Sequence, residues 1–456
     1  MMTRRSFLIS AAGGALSAQS PSKPPNFVFI MADDLGVFDL GCYGQKLIRT
    51  PNIDRLAAEG MRFTDCYSGA TVCAPSRSVL MTGQHTGHTT VRWNASLRTG
   101  GRVSLRADDV TVAQVLKGPE WRDAYDETRG YATAIFGKWG LGEPDTPGLP
   151  NDHGFDEWFG FLNQQHAHGH YPAFLWRNKT RETLRGNLNG GRREYASDLF
   201  CREALHFIDR RRYQPFFLYF TPTVPHAKFE APDLGPYAKE AWPDEAKNYA
   251  AMVTRMDHYV GQIMAKLKEC GLDSNTLVFF TSDNGGTFDY APFQTMGPLR
   301  ERKGSIYEGG TRVPMIARWT GRIKAGTVGN YPWGFCDVLP TLADLAGVRG
   351  IPSNVDGISV APTLLGKSQN ADRPLYWESF AGGFHQAVRM GRWKGVRHGL
   401  TAPLELYDLL NDIGESKNAA AAHPDVVRKM REFLAECRVD SPEYPAVSRR
   451  MRNAAD

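Results

Sequence analysis

The stretch Asn26-Phe-Val-Phe-Ile-Met-Ala32, running directly into Asp33-Asp34, decides the fold. A short, continuous apolar run of this kind reads as a strand buried on both faces. A helix follows, opened by Thr50-Pro51 and closed by Gly60. Strands of the same character are expected at 131–136, 215–220, 276–282 and 313–319, each bounded by Gly, Pro or polar residues. Between them, 197–211 and 249–270 carry apolar residues at helical spacing, the second capped by Gly271. This alternation predicts an α/β fold, a large and mostly parallel mixed sheet sandwiched by helices.

After Gly366 the pattern changes. Segments 374–378, 386–390, 393–397 and 404–409 read as short antiparallel strands, and 424–437 reads as a helix. The expected organisation is an export signal over 1–20, a catalytic unit over 25–366 and a smaller C-terminal α+β subdomain over 370–456. The Gly- and Arg-rich stretch 180–193 reads as a surface loop.

With 456 residues, 42% of them hydrophobic and 23% charged, the chain has the composition of a globular protein with a large core. Its 54 basic and 49 acidic residues are dispersed, and no basic block resembles a nucleic-acid arm. The net charge of +5 suits an anionic substrate without naming one. Thr3-Arg4-Arg5-Ser6-Phe7-Leu8 and the small-residue run to Ala18 resemble a twin-arginine signal, which implies a periplasmic or secreted protein. That run is too short to span a bilayer. The seven cysteines lack zinc-ligand spacing, and one or two disulfides are compatible with an oxidising compartment.

Chemistry collects just after the predicted strands, where open α/β sheets place their sites. Asp33-Asp34 and Asp283-Asn284 form an all-oxygen set suited to calcium or magnesium, with calcium preferred. Either pair alone also reads as a turn or a helix cap. Lys138, in Gly137-Lys-Trp-Gly140, and His226, after Thr221-Pro-Thr-Val-Pro225, add a cation and a titratable imidazole. Such a group binds an oxyanion and protonates a leaving group, as phosphoryl or sulfuryl transfer requires. Cys73-Ala-Pro-Ser-Arg77, just before a predicted helix, offers the nucleophile.

Cys73-Ala-Pro-Ser-Arg77 resembles the C-x-P-S-R signature at which type I sulfatases, of the alkaline phosphatase superfamily, have cysteine oxidised to formylglycine. It lies between the family-like Phe29-Ile-Met-Ala-Asp-Asp34 and Thr281-Ser-Asp-Asn-Gly285, and the resemblance runs from about Asn26 to the C-terminus. The resemblance implies an alkaline-phosphatase-like fold and calcium held by Asp33, Asp34, Asp283, Asn284 and the formylglycine (3-oxoalanine) made from Cys73. It implies that Arg77 steadies that residue, and that Lys138, His226 and Lys303 hold the sulfate and bridging oxygens. It further implies a maturation partner, either a formylglycine-generating enzyme or an anaerobic sulfatase-maturating enzyme.

Gly137-Lys-Trp-Gly140 departs from the Gly-Lys-x-His of many relatives, so a histidine that contacts the formylglycine there is absent. The stretch Asn163-Gln-Gln-His166-Ala-His168-Gly-His170 is rich in histidine, and His168 or His166 is expected to compensate or to contact substrate. The form of these motifs resembles bacterial polysaccharide sulfatases, which favours a sulfated glycan, with galactose or N-acetylgalactosamine as candidate sugars. Trp377, Glu378, His385 and Gln386 are candidates to line its sugar subsite. A phosphonate or phosphate ester hydrolase of the same superfamily, and a glycan-binding pseudoenzyme, are the competing readings.

Overall fold

A computed structural model describes residues 23–118 and 130–446; the export signal expected over 1–20 lies outside the described residues. Five parallel strands form the centre of the main sheet, in the spatial order Thr276–Ser282, Asn26–Ala32, Phe216–Thr221, Ala132–Lys138 and Glu157–Phe161. On one edge Met315–Arg318 adds antiparallel to Thr276–Ser282, followed by Met61–Phe63 and Thr327–Gly329. On the other edge the hairpin Phe174–Arg177 and Thr180–Thr183 completes a sheet of ten strands.

The alternation of side chains along Asn26–Ala32 explains the double-sided core. Val28, Ile30 and Ala32 pack toward a layer that includes Pro51–Ala58, Ala196–Arg210 and Asp244–Glu269. Phe27, Phe29 and Met31 pack toward the opposite layer, with Cys73–Thr82, Val112–Lys117 and Val338–Ala346. Both faces are therefore apolar, and the strand lacks the polar alternation of a half-exposed one.

The C-terminal unit is a four-stranded antiparallel sheet, Pro374–Ser379, His385–Met390, Trp393–Arg397 and Glu405–Asp408. Met430 and Leu434 of helix Pro424–Glu436 close its core against Tyr376, Val388, Leu404 and Leu406. Its other face meets the main body, where the Trp377 indole donates to the Ser68 carbonyl (2.9 Å) and Lys394, fully buried, pairs with Glu308 and Glu415.

Several expectations shift. The predicted loop 180–193 begins as strand Thr180–Thr183 and continues through a 3₁₀ turn, Arg185–Gly190. Lys138 ends its strand rather than following it. The strand expected at 313–319 is Met315–Arg318. The long helix starts five residues earlier than its apolar pattern, at Asp244 after Pro243, because its first turn is polar. All seven cysteines are free. No helix among the described residues is long and apolar enough to cross a membrane.

Candidate active site

The C-terminal ends of four central strands, Ala32, Ser282, Thr221 and Lys138, release their chains at one edge of the sheet. Asp34 takes a left-handed backbone, φ +67°, unusual for a residue with a side chain. Two hydrogen bonds hold that turn: Asp34 N–H donates to Asp283 Oδ1 (3.2 Å) and Leu35 N–H to Ser282 Oγ (2.9 Å). The sequential pair Asp33-Asp34 is thereby turned toward Asp283 and Asn284.

Cys73 opens the buried helix Cys73–Thr82, whose positive N-terminal end lies at the same place. Its Sγ lies 3.5 Å from Asp33 Oδ1, 3.9 Å from Asp34 Oδ1 and 3.4 Å from Lys303 Nζ. Lys138 Nζ meets Asp33 Oδ2 at 2.7 Å, and Lys303 Nζ meets both Asp34 oxygens, at 2.5 and 2.7 Å. The His226 Nδ1–H donates to the Ala227 carbonyl, which leaves Nε2 facing Asp34 Oδ2 at 3.4 Å.

Arg77 ties the set together. Its Nε and one terminal nitrogen donate to Asp283 Oδ2, and the other terminal nitrogen donates to the Lys138 carbonyl (2.6 Å) and Thr221 Oγ1 (2.5 Å). One guanidinium therefore fixes three of the converging strand ends.

Burial raises the cost of ionising Asp33, but Lys138, His226, Arg77 and Lys303 outweigh it and hold the carboxyl far below its ordinary range. Asp34 is held low in the same way, chiefly by Lys303. Asp283 is pushed up by burial and then by Asp33. Burial, then the charge of Asp283, pushes the Cys73 thiol up to about 12, so the unmodified side chain is a poor nucleophile.

The donor set fits a hard divalent cation. Three carboxylates and an amide converge, and one ligand atom from each of Asp33, Asp34, Cys73 and His226 lies within 4.8 Å of the others. Asn284 donates Nδ2 to Asp34 Oδ1 (2.8 Å), yet its buried Oδ1 has no hydrogen-bond partner among the described residues. A free, buried carbonyl oxygen beside paired carboxylates is a ligand atom suited to calcium.

The histidine-rich stretch divides. His168, on the surface, stacks its ring on His226 at 4.6 Å between centroids. Desolvation, then His226 and Lys138, lower its pKa to about 4. His166 instead packs on Phe161 and Phe174 and touches none of the converging groups. His170 is buried and holds the His226 carbonyl through Nε2 (3.0 Å), a support that its sequence neighbourhood did not single out. Thr221 was missed as well; its place at the end of an apolar strand was the available signal.

Trp377, Glu378 and Gln386 do not line a sugar subsite. They are 2%, 0% and 1% exposed, packed within the C-terminal unit or against the main body. Aromatic and polar residues alternating on an antiparallel strand here fill two packed faces. His385 is half-buried, bonded to the Ala381 carbonyl (3.0 Å) and to His398 (2.9 Å), and makes no contact with the Cys73 cluster.

A metal-ready carboxylate cluster, a fixed guanidinium and two lysines at the ends of parallel strands define a hydrolase of anionic esters with the alkaline-phosphatase-like architecture. The family model described as Sulfatase matches residues 25–348, and one described as N-sulphoglucosamine sulphohydrolase, C-terminal, matches 302–440. The chain belongs to the sulfatase family and is a sulfuric ester hydrolase. It is 36% identical over 411 residues to N-acetylgalactosamine-6-sulfatase of Canis lupus familiaris, covering 85% of this chain and 74% of that one. Against arylsulfatase A of Homo sapiens it is 32% identical, covering 96% and 92%. The structure of Ps i-CgsB in complex with k-i-k-neocarrahexaose superposes with a TM-score of 0.80 at 29% identity, covering 95% of this chain and 97% of that one.

Proposed function

We propose that this chain removes sulfate from a sulfated carbohydrate, with a formylglycine made from Cys73 and a calcium ion held by Asp33, Asp34, Asp283 and Asn284. The observation that carries the reading is the meeting of Cys73 Sγ with Asp33, Asp34 and Lys303 beside the unpartnered Asn284 Oδ1. In place of the thiol, the hydrated aldehyde supplies a hydroxyl nucleophile, and calcium supplies charge that offsets the sulfuryl oxygens.

The protein groups then have separable tasks. Lys138 and Lys303 present two cations to the sulfuryl group, acting on charge that develops during displacement. Arg77 compensates Asp283 and orients the Lys138 strand end. His226, with Nδ1 committed to a carbonyl, carries at Nε2 the proton that goes to the departing alcohol, with Lys303 as the second donor in reach.

A carbohydrate substrate is supported by the relatives named for N-acetylgalactosamine-6-sulfate and by the neighbour solved with a carrahexaose. A sulfated galactose or N-acetylgalactosamine is the candidate sugar. Surface-exposed His168, stacked on His226 beside the cluster, is the substrate contact.

Cys73, 2% exposed in the folded chain, is closed to a maturing enzyme, so its conversion precedes folding. With a twin-arginine signal, that conversion takes place in the cytoplasm before export to the periplasm or beyond. The direct test is release of inorganic anion from sulfated galactose and N-acetylgalactosamine oligosaccharides and from matched phosphate monoesters. Faster release of sulfate is expected; faster release of phosphate overturns the assignment.

A further inference from the structure

Gly140 stands two residues beyond Lys138 with φ +79°, in the left-handed region that favours glycine. A β-carbon there would come within 2.2 Å of Gln164 Nε2 and 3.1 Å of its Cδ. The Gln164 carboxamide thus fills the space in which any side chain at position 140 would begin.

Gln164 is 5% exposed, and both of its amide atoms are buried with no hydrogen-bond partner among the described residues. Whichever way the amide is turned, a donor and an acceptor remain unsatisfied. Burial of such a group is costly and uncommon in native folds unless a ligand or water meets it.

Its location says which ligand. Strand Glu157–Phe161 runs parallel to Ala132–Lys138 with Phe161 opposite Lys138, and the Gly140 N–H donates to the Leu162 carbonyl (3.0 Å). The chain therefore reaches Gln164 at the sheet edge where Lys138 meets Asp33, and four residues later His168 stacks on His226.

We propose that Gln164 takes the place of the histidine absent at Gly140 and presents its carboxamide to the reacting centre, with Nε2 donating to an oxygen of the bound sulfate monoester. This rests on the sulfatase reading above. A carboxamide holds an oxyanion without gaining or losing a proton, so Gln164 binds and orients but does not act as an acid or base.

The test uses the calcium-loaded full chain and its Gln164→Ala and Gln164→Glu variants. Inorganic sulfate is titrated calorimetrically, kcat and KM are measured on an aryl sulfate, and Tm is recorded. Glutamate has the same shape but repels the anion, so Gln164→Glu is expected to weaken sulfate binding and lower kcat/KM by about tenfold or more, with Gln164→Ala intermediate. Sulfate affinity and kcat/KM of Gln164→Glu both within about twofold of wild type overturn the assignment of Gln164. So does a fall in activity that follows Tm alone while sulfate affinity is unchanged. A wild-type protein that neither binds sulfate nor cleaves the ester fails the sulfatase reading itself, a result distinct from wild-type binding that the variants leave intact.

Discussion

Arg77 donates from Nε (3.1 Å) and a terminal nitrogen (2.8 Å) to the same oxygen of Asp283, with both side chains buried. Removing one partner of such a pair leaves the other charge uncompensated, at a cost of about 3–5 kcal/mol. Arg77→Ala is therefore expected to lower stability by that amount in denaturant titration and to abolish sulfate release. Arg77→Lys keeps the charge but not the fork, so it is expected to recover stability in part while activity stays low. A wild-type unfolding midpoint in Arg77→Ala would show that the pair does not organise the site.

Calcium should stabilise the fold, because the ion compensates three carboxylates gathered at one point. At a concentration about 100 times Kd, binding adds about 2.7 kcal/mol. Chelation of the wild-type protein is expected to lower Tm and stop turnover, both restored by added calcium. In Asn284→Ala, which lacks the unpartnered Oδ1, the calcium-dependent rise in Tm should be smaller and need more calcium.

The visibility of these groups in the sequence was uneven. Asn26–Ala32 and Thr276–Ser282 announced themselves because both faces of each strand are buried, so the strands read as unbroken apolar runs. Glu157–Phe161 did not, because it begins with a charge and contains Gly160. Packing demands that glycine: a β-carbon on Gly160 would lie 1.7 Å from the Gly137 carbonyl oxygen of the neighbouring strand. The metal carboxylates stood out as pairs, and Cys73 and Arg77 stood out as a motif. His170 and Gln164 are ordinary polar residues whose meaning depends on partners 56 and 24 positions away, His226 and Gly140.

Asp39 should make stability depend on pH. Burial pushes its carboxyl up to about 7, against opposing hydrogen bonds from the Tyr249 hydroxyl (2.6 Å) and Gly36 N–H (2.7 Å). A raised carboxyl pKa favours the folded state below the unfolded pKa, and that contribution is lost as pH rises through about 7. Within this window the slope is about 1.4 kcal/mol per pH unit. Both donors meet Oδ2, while Oδ1 has no partner among the described residues, so Asn preserves the contacts without titrating. Stability measured from pH 4 to 8 should therefore fall less steeply in Asp39→Asn than in wild type; superimposable profiles would refute this.

Lys394 joins the two units. Its ammonium, fully buried, lies 2.8 Å from Glu308 and 3.1 Å from Glu415. The C-terminal sheet also braces the Lys303 loop, through Ser379 Oγ–H to the Gly304 carbonyl (2.8 Å). Lys394→Met is expected to cost about 3–5 kcal/mol by leaving buried Glu415 without its cation, while Glu308 keeps Arg312, and to reduce activity by loosening that loop. Proteolysis should then cut first near the junction of the units; a wild-type cleavage pattern and Tm would contradict the role.

The central claim is the chemical state of residue 73, and mass spectrometry of the peptide containing it, from protein made in a host with a maturing enzyme, tests this most directly. Sulfur is expected to be lost and an aldehyde to form that reacts with a hydrazide probe, in proportion to sulfate-releasing activity. An intact thiol at Cys73 in protein that releases sulfate at full rate would contradict it.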